Sequence, residues 1–158
     1  MSVVARLSDF IERQVPDRYR AGDPDELRGA RQILWFCFLL GPVTPLFAIP
    51  FLLHGHYGPA ALLLSASLLM ILIGPLLRRS LLLALHVQLA SGLITTLASV
   101  SFTGGVGGFG AAWTACIPLV ALLAGGRRIA IGWLGVASAG LLGFTAWELL
   151  GGRPFQDR

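Results

Sequence analysis

The sequence contains no lysine, little charge and only two cysteines. Arginine supplies all twelve basic side chains, and charged residues make up 13% of the chain, about half of the roughly 25% found in soluble domains. Without lysine the chain cannot form a phosphate-binding P-loop, which needs that residue after its glycines. Cys37 and Cys116 both lie in apolar runs, so we expect small buried side chains instead of a disulfide or a metal pair.

Apolar residues dominate what remains. They make up 55% of the 158 residues, and the mean hydropathy is +0.75, which is typical of integral membrane proteins. A chain of this length and composition has no room for a water-soluble catalytic domain. The formal net charge of +4 does not indicate nucleic-acid binding, because the arginines flank apolar runs instead of forming a solvated patch.

An all-α integral membrane bundle of five transmembrane helices is the fold that the apolar runs predict. The predicted spans cover about 33–53, 59–77, 81–101, 110–124 and 129–150, between an N-terminal segment at 1–32 and a short tail at 151–158. About 20 residues at ~1.5 Å each cross a hydrocarbon core about 30 Å thick. The fourth run is short for a full crossing, so a turn at one of its ends has to complete it.

Three prolines interrupt the first predicted span: Pro42, Pro45 and Pro50. Proline has no N–H to donate, and its ring crowds the preceding turn, so we expect a kinked or partly broken helix. Inside a membrane such a helix is tolerated only where neighbouring groups satisfy the carbonyls that the prolines leave free.

The N-terminal segment begins with an amphipathic pattern. Over residues 1–20, apolar side chains recur at helical spacing opposite charged ones. We predict a cytoplasmic helix that either lies in the membrane interface or packs against a partner helix, and the pattern does not choose between the two. Asp23 is placed to cap a short helical lead-in to the first span, with Glu26 three residues later.

The positions of the arginines predict the orientation of the chain. Six arginines precede the first span, two lie in each of the second and fourth connections, and none lies in the first or third. Because basic residues stay on the cytoplasmic side, ten of the twelve fit a cytoplasmic N-terminus. Five spans place Arg153 and Arg158 outside, so either a sixth span follows or one of the five is re-entrant. We favour a sixth span.

A polar stripe runs along the third predicted span. Its members occur at steps of three and four residues and therefore share one helix face: Gln88, Ser91, Thr95 and Ser99. In lipid this face has to point into the bundle, because unsatisfied polar groups are costly in hydrocarbon. Interhelical hydrogen bonds and the wall of a ligand pocket would both use such a stripe, and both interpretations stay open.

Two blocks of sequence resemble the multi-span membrane input domain of bacterial sensor histidine kinases, related forms of which sit on some nucleotide cyclases. The first is the segment 16–34, which leads straight into the first span. The second is a glycine-rich loop, a tryptophan, a proline and a glycine-arginine turn, matched here by Thr103, Gly104, Gly105, Trp113, Pro118, Gly126 and Arg127. The pattern departs from such domains at Gly108 and Phe109, where serine and proline are usual.

The resemblance implies about six spans in the bacterial inner membrane, a cytoplasmic N-terminus, homodimeric signalling and a C-terminal kinase or cyclase outside these 158 residues. We expect a small apolar or amphipathic signal to enter between the spans near the glycine loop. The expected ligand-binding residues are Gln88, Ser91, Thr95, Ser99, Thr103, Gly104, Gly105, Trp113 and Pro118.

Nothing in the sequence predicts catalysis or a bound cofactor. His54 and His56 are two metal-binding side chains with no third in view, and the chain has no nucleophile elbow. A non-catalytic sensory module in the lipid bilayer is therefore the leading hypothesis. A small transporter or channel subunit is one alternative, because broken helices and a glycine-rich mouth are also features of transporters. A passive membrane anchor that dimerises its partner is another.

Overall fold

The computed structural model of the chain describes residues 3–102 and 109–151, and this part of the protein is helical between short turns. Within these ranges the helices are α1 (Val3–Gln14), α2 (Asp17–Arg20), α3 (Pro24–Leu53), α4 (Tyr57–Arg79), α5 (Leu81–Phe102), α6 (Phe109–Thr114), α7 (Cys116–Gly125) and α8 (Arg127–Leu149). Four of them, α3, α4, α5 and α8, are long and apolar enough to cross a membrane. The chain is therefore a multi-pass, membrane-embedded protein with an all-α fold.

The outward faces of the long helices are suited to lipid. Ile71 in α4 and Leu142 in α8 expose 71% and 69% of their surface, whereas a water-soluble bundle turns such side chains towards its core. Several of the buried positions are alanines instead, among them Ala48, Ala60 and Ala121. Small residues allow membrane helices to approach one another closely, so these helices pack with their backbones near each other.

The first long helix, α3, continues through all three of its prolines. It also joins the predicted lead-in to the first predicted span, because no proline separates Pro24 from Gly41. The predicted cap is present, since Asp23 Oδ1 accepts a hydrogen bond from the Asp25 N–H at 2.8 Å. The break expected at the prolines does not occur, and at Pro45 a contact between α3 and α4, described below, supplies a donor for the freed carbonyl.

The fourth predicted span is divided into two short helices, α6 and α7, with a turn at Ala115. The ten residues of α7 extend about 15 Å, roughly half of a bilayer core. The number of spans therefore stays a prediction. At the end of α7, Gly126 adopts a left-handed φ of +82°, a conformation that glycine accepts without strain and that turns the chain sharply into α8.

Consecutive long helices run in opposite directions, so α3, α5 and α8 begin at the end of the bundle where α4 and α7 finish. We term it the arginine-rich end, because it carries the exposed side chains of Arg28, Arg78, Arg79, Arg127 and Arg128. The helices meet tightly here. A Cβ atom placed on Gly29 would overlap the backbone oxygen of Ala124 and would contact Leu81 at 3.4 Å.

The N-terminal segment is bound to the end of α4 at the arginine-rich end. The Arg18 guanidinium donates to the backbone oxygens of Leu77 and Arg79, both at 2.9 Å. The buried Tyr19 hydroxyl donates to Leu77 at 2.9 Å. The last carbonyls of a helix have no partner inside the helix, and they favour a cation because of the helix dipole. Two side chains of α2 therefore complete the C-terminus of α4.

Helix α1 lies along α3 and is held by one aromatic and one ionic contact. The rings of Phe10 and Phe38 meet edge to face with centroids 5.1 Å apart. The Arg31 guanidinium lies 2.7 Å from the Glu12 carboxylate. Ile11 is fully buried between these contacts. The described N-terminal residues therefore belong to the folded bundle.

The close approach at Gly29 predicts that Gly29→Ala destabilises the protein. Alanine normally favours a helix interior over glycine, but here its methyl group would have to displace the backbone of α7, and overpacking of this kind costs about 1–3 kcal/mol. The melting temperature of the purified protein in detergent, followed by tryptophan fluorescence, should fall by several degrees.

Gly135→Ala in α8 is the matched control, because nothing lies within 4 Å of a Cβ atom at that position. We expect its melting temperature to stay unchanged or to rise slightly. Equal stability of the two variants would contradict the tight contact between α3 and α7.

Candidate functional site

The polar stripe of the third predicted span lies on α5, and its first half faces the bundle interior. Gln88 and Ser91 are 5% and 9% exposed, and Thr95 and Ser99 are half-buried. The Thr95 hydroxyl donates to the backbone oxygen of Ser91 at 2.8 Å, and the Ser99 hydroxyl donates to Thr95 at 2.7 Å. These two hydroxyls therefore find acceptors within their own helix, as serine and threonine in membrane helices commonly do.

Three buried side-chain oxygens in the described part of the chain have no hydrogen-bond partner: Gln32 Oε1, Gln88 Oε1 and Thr114 Oγ1. The last two lie on α5 and α6, which pack against each other. Thr114 is only 1% exposed. Leaving a buried polar group without a partner costs about 1–3 kcal/mol. A bound polar group or a water molecule would remove that cost, so these two atoms are the strongest indication of a ligand near α5.

Trp113 and Pro118 flank the turn between α6 and α7. The Trp113 side chain is 46% exposed, while the next residue, Thr114, is buried. Pro118 is the third residue of α7, where its missing N–H removes no intrahelical hydrogen bond. The structure thus brings Trp113 and Pro118 to one break in the helix, beside the unpaired Thr114 hydroxyl. The predicted ligand residues Thr103, Gly104 and Gly105 lie outside the described residues.

A cavity of about 590 Å³ separates α3 from α4. We term it the proline groove, because Pro42 and Pro45 of α3 and Pro75 of α4 line it. Most of its remaining wall is apolar, and Gln14 and Arg78 lie at the arginine-rich end. None of the four stripe residues lines this groove, so sequence reasoning placed its candidate pocket elsewhere.

One hydrogen bond across the proline groove compensates for the donor that Pro45 removes from α3. Pro45 has no N–H for the carbonyl four residues earlier, which belongs to Gly41. The Ser67 hydroxyl of α4 donates to this Gly41 oxygen at 2.7 Å. The helices approach closely at this point, since a Cβ atom on Gly41 would lie in ordinary van der Waals contact with Met70 Cβ, at 3.8 Å. A neighbouring helix therefore supplies the donor that proline removes.

The described residues do not form a metal site, since no three His, Cys, Asp or Glu side chains among them lie close enough together. His54 follows the end of α3, and its Nδ1 lies 2.8 Å from the backbone oxygen of Pro50. The histidine pair of the sequence thus belongs to the turn between α3 and α4. Neither the proline groove nor the buried stripe places a nucleophile next to a base in the part of the chain that is described.

No family model, no curated protein and no solved structure matches this chain. The properties of the site therefore rest on the geometry and chemistry of its own residues.

Sequence reasoning missed Ser67 and Gly41, although both could have been found. Pro45 identifies Gly41 as the owner of the freed carbonyl, and a serine on the next span is a natural donor. The missing information was the register between α3 and α4, which residue spacing within one helix does not provide. In the sequence, Arg78 indicated only the orientation of the chain in the membrane. Its position at the mouth of the groove does not follow from residue spacing.

The bond between Ser67 and Gly41 predicts that Ser67→Ala destabilises the protein by about 1–3 kcal/mol, because the Gly41 oxygen would be left without a donor in an apolar setting. Ser65→Ala is the control on the same helix, since the Ser65 hydroxyl bonds only within α4, to Ala61 at 2.7 Å. Denaturation in mixed detergent micelles should show a clear loss for Ser67→Ala and little change for Ser65→Ala.

A double variant makes this test more specific. Pro45→Ala restores an N–H that can donate to Gly41 within α3, so Pro45→Ala combined with Ser67→Ala should be more stable than Ser67→Ala alone. If the stability losses of the two single variants simply add in the double variant, Ser67 does not replace the donor that Pro45 removes.

Proposed function

We propose that this chain is the membrane input module of a bacterial signalling protein, either a sensor histidine kinase or a nucleotide cyclase, whose effector follows it. In this proposal the module is homodimeric, non-catalytic and without a cofactor. It lies in the inner membrane with α1 as a cytoplasmic amphipathic helix. Helices α6 and α7 together form the fourth crossing, α8 forms the fifth, and a sixth span precedes the effector. A small apolar or amphipathic molecule is the signal.

The observation that carries the proposal is the pair of buried oxygens without partners, Gln88 Oε1 and Thr114 Oγ1. An amide oxygen accepts hydrogen bonds and a hydroxyl both donates and accepts them. A molecule with an apolar body and a hydroxyl or carbonyl group would complement either atom. A purely structural anchor has no need to retain such uncompensated groups, since apolar side chains of similar shape would serve as well.

The packing around α7 supports transmission of the signal to the arginine-rich end. A Cβ on Gly92 of α5 would lie 3.1 Å from Ile117, and one on Gly125 would lie 2.5 Å from Leu85. Close-packed contacts of this kind do not deform smoothly, so a ligand that separates α5 from α6 favours a different packing of α7. Because α7 also touches α3 at Gly29, the change would reach the helix that follows the N-terminal segment.

Thr114→Val tests this proposal, because valine keeps the shape of threonine and removes only the hydroxyl. The variant should be expressed as a fusion to a histidine kinase or cyclase reporter and titrated with medium-chain alcohols and ketones. We expect about a tenfold or greater loss of sensitivity, the size of one lost hydrogen bond in a desolvated site. Without ligand the purified variant should melt at the same or a higher temperature.

Thr145→Val is the matched control, since Thr145 is half-buried in α8 and its hydroxyl bonds to Leu141 at 2.9 Å. It should leave the response unchanged. Flat output from the parent, Thr114→Val and Gln88→Leu across the whole titration would argue for a passive anchor, and a response that is identical in all three would contradict the site at Gln88 and Thr114. Flux of the same molecules through proteoliposomes would argue for a transporter.

A further inference from the structure

The geometry points to a binding site for an anionic phospholipid, with an acyl chain in the proline groove and the phosphate among Arg13, Arg20 and Arg78. This inference is independent of the sensory role proposed above, because it concerns a different pair of helices. The occupant is a lipid of the leaflet at the arginine-rich end. Three observations carry the inference: the length and character of the groove, the charge at its mouth, and the continuity between the two.

The proline groove has the dimensions of one lipid chain within one leaflet. From Ser67 to Arg78 it follows about three turns of α4, roughly 16 Å at ~1.5 Å per residue, close to half of a hydrocarbon core about 30 Å thick. Its volume of about 590 Å³ falls within the roughly 300–1,000 Å³ of small-molecule sites. Leu34, Phe38, Met70 and Ile71 give it an apolar wall, which suits a hydrocarbon chain.

A second cavity, of about 410 Å³, adjoins the groove at the arginine-rich end. Its charged lining consists of Arg13, Asp17, Arg20 and Arg78. Asp17 lies 3.5 Å from the Arg20 guanidinium and offsets that charge. Neither Arg13 nor Arg78 takes part in an ion pair within the described residues. The cavity therefore keeps two uncompensated guanidinium groups, which favour an anion.

The two cavities are connected, because Gln14 and Arg78 line both of them. A molecule that follows this connection passes from the apolar groove into the cationic cavity beside Arg78. Guanidinium groups bind phosphate through paired hydrogen bonds, and membrane arginines attract anionic lipids at the surface. A phospholipid with net negative charge meets both requirements, whereas free phosphate would leave the apolar groove unfilled.

A lipid at this place would contact three parts of the chain at once. Gln14 belongs to the end of α1, Phe38 to α3 and Arg78 to the end of α4. The bound lipid would then fill the groove that Pro42, Pro45 and Pro75 line between the two helices. It would also hold the N-terminal segment against the membrane helices.

Binding can be measured with the purified chain in nanodiscs of phosphatidylcholine, to which phosphatidylglycerol is added in steps. Native mass spectrometry counts the retained lipid, and the melting temperature reports its stabilising effect. We expect phosphatidylglycerol to be retained and stabilising in preference to phosphatidylcholine. Arg78→Gln should weaken its apparent affinity by about tenfold, as expected for loss of one charged hydrogen-bonding group.

Arg128→Gln is the matched control for charge, because Arg128 is exposed at the same end of the bundle and lines neither cavity. It should leave the affinity unchanged. An equal loss in the two arginine variants would show diffuse attraction to the membrane surface and would overturn the site.

A second pair of variants tests the groove separately from the charge. Nothing lies within 4 Å of a Cβ atom on Gly74, which lines the groove, or on Gly132, which faces outward in α8. Gly74→Leu should displace the acyl chain and abolish selective retention, while Gly132→Leu should not. Unimpaired lipid binding by Gly74→Leu would overturn the groove assignment.

Inorganic phosphate and glycerol phosphate serve as soluble probes of the headgroup alone. If either stabilises the protein as strongly as the lipid does, and Gly74→Leu keeps that effect, the site binds a free phosphate and the lipid proposal is wrong. We expect both probes to compete only at much higher concentration than the lipid, because they leave the groove empty.

Discussion

The structure depends on the rule that every backbone carbonyl inside a membrane needs a donor. In α3 the rule is tested at Pro45, which removes the N–H that would serve Gly41. The Ser67 hydroxyl supplies the replacement from α4, so a hydrogen bond joins the two helices at this point. The proline groove lies at the same place, since Gly41, Pro45 and Ser67 all line it.

The same rule operates at the arginine-rich end, where α4 finishes. Its last carbonyls are served by Arg18 and Tyr19, which come from a segment that hydropathy alone would place outside the membrane domain. The end of α4 is therefore completed by the N-terminal residues. The buried oxygens of Gln88 and Thr114 have no such partner, and this difference from the end of α4 gives them their significance.

Much of the fold could be predicted from the sequence, because apolar run length and helix period are local properties. The long helices, the cap at Asp23 and the inward face of Gln88 and Ser91 all follow from residue spacing within one segment. The contacts between segments could not be obtained in this way. Ser67 is one of several hydroxyl residues in the chain, and only the register between α3 and α4 shows that it faces Gly41. The continuity of α3 was missed for the same reason, since the sequence does not show which neighbouring group serves a carbonyl that a proline leaves free.

The same difference between features within one helix and contacts between helices applies to the candidate sites. Residue spacing found the stripe on α5 but not the pairing state of its oxygens, which depends on what packs opposite. It found Arg78 as a charge at a membrane boundary but not as the side chain shared by two adjoining cavities, because cavities arise only between helices. Thr114 was not predicted as a site residue, because it lies in an apolar run. Its buried hydroxyl without a partner nevertheless indicates a ligand more strongly than the exposed side chain of Trp113 does.

The attachment of α2 to the end of α4 has a mechanical consequence. Helices α4 and α5 are connected by Ser80 alone. The backbone oxygens of Leu77 and Arg79, which bind Arg18, therefore lie directly beside this one-residue connection. A force applied to the N-terminal segment would act on this connection. Helices α4 and α5 would then tilt together about Ser80.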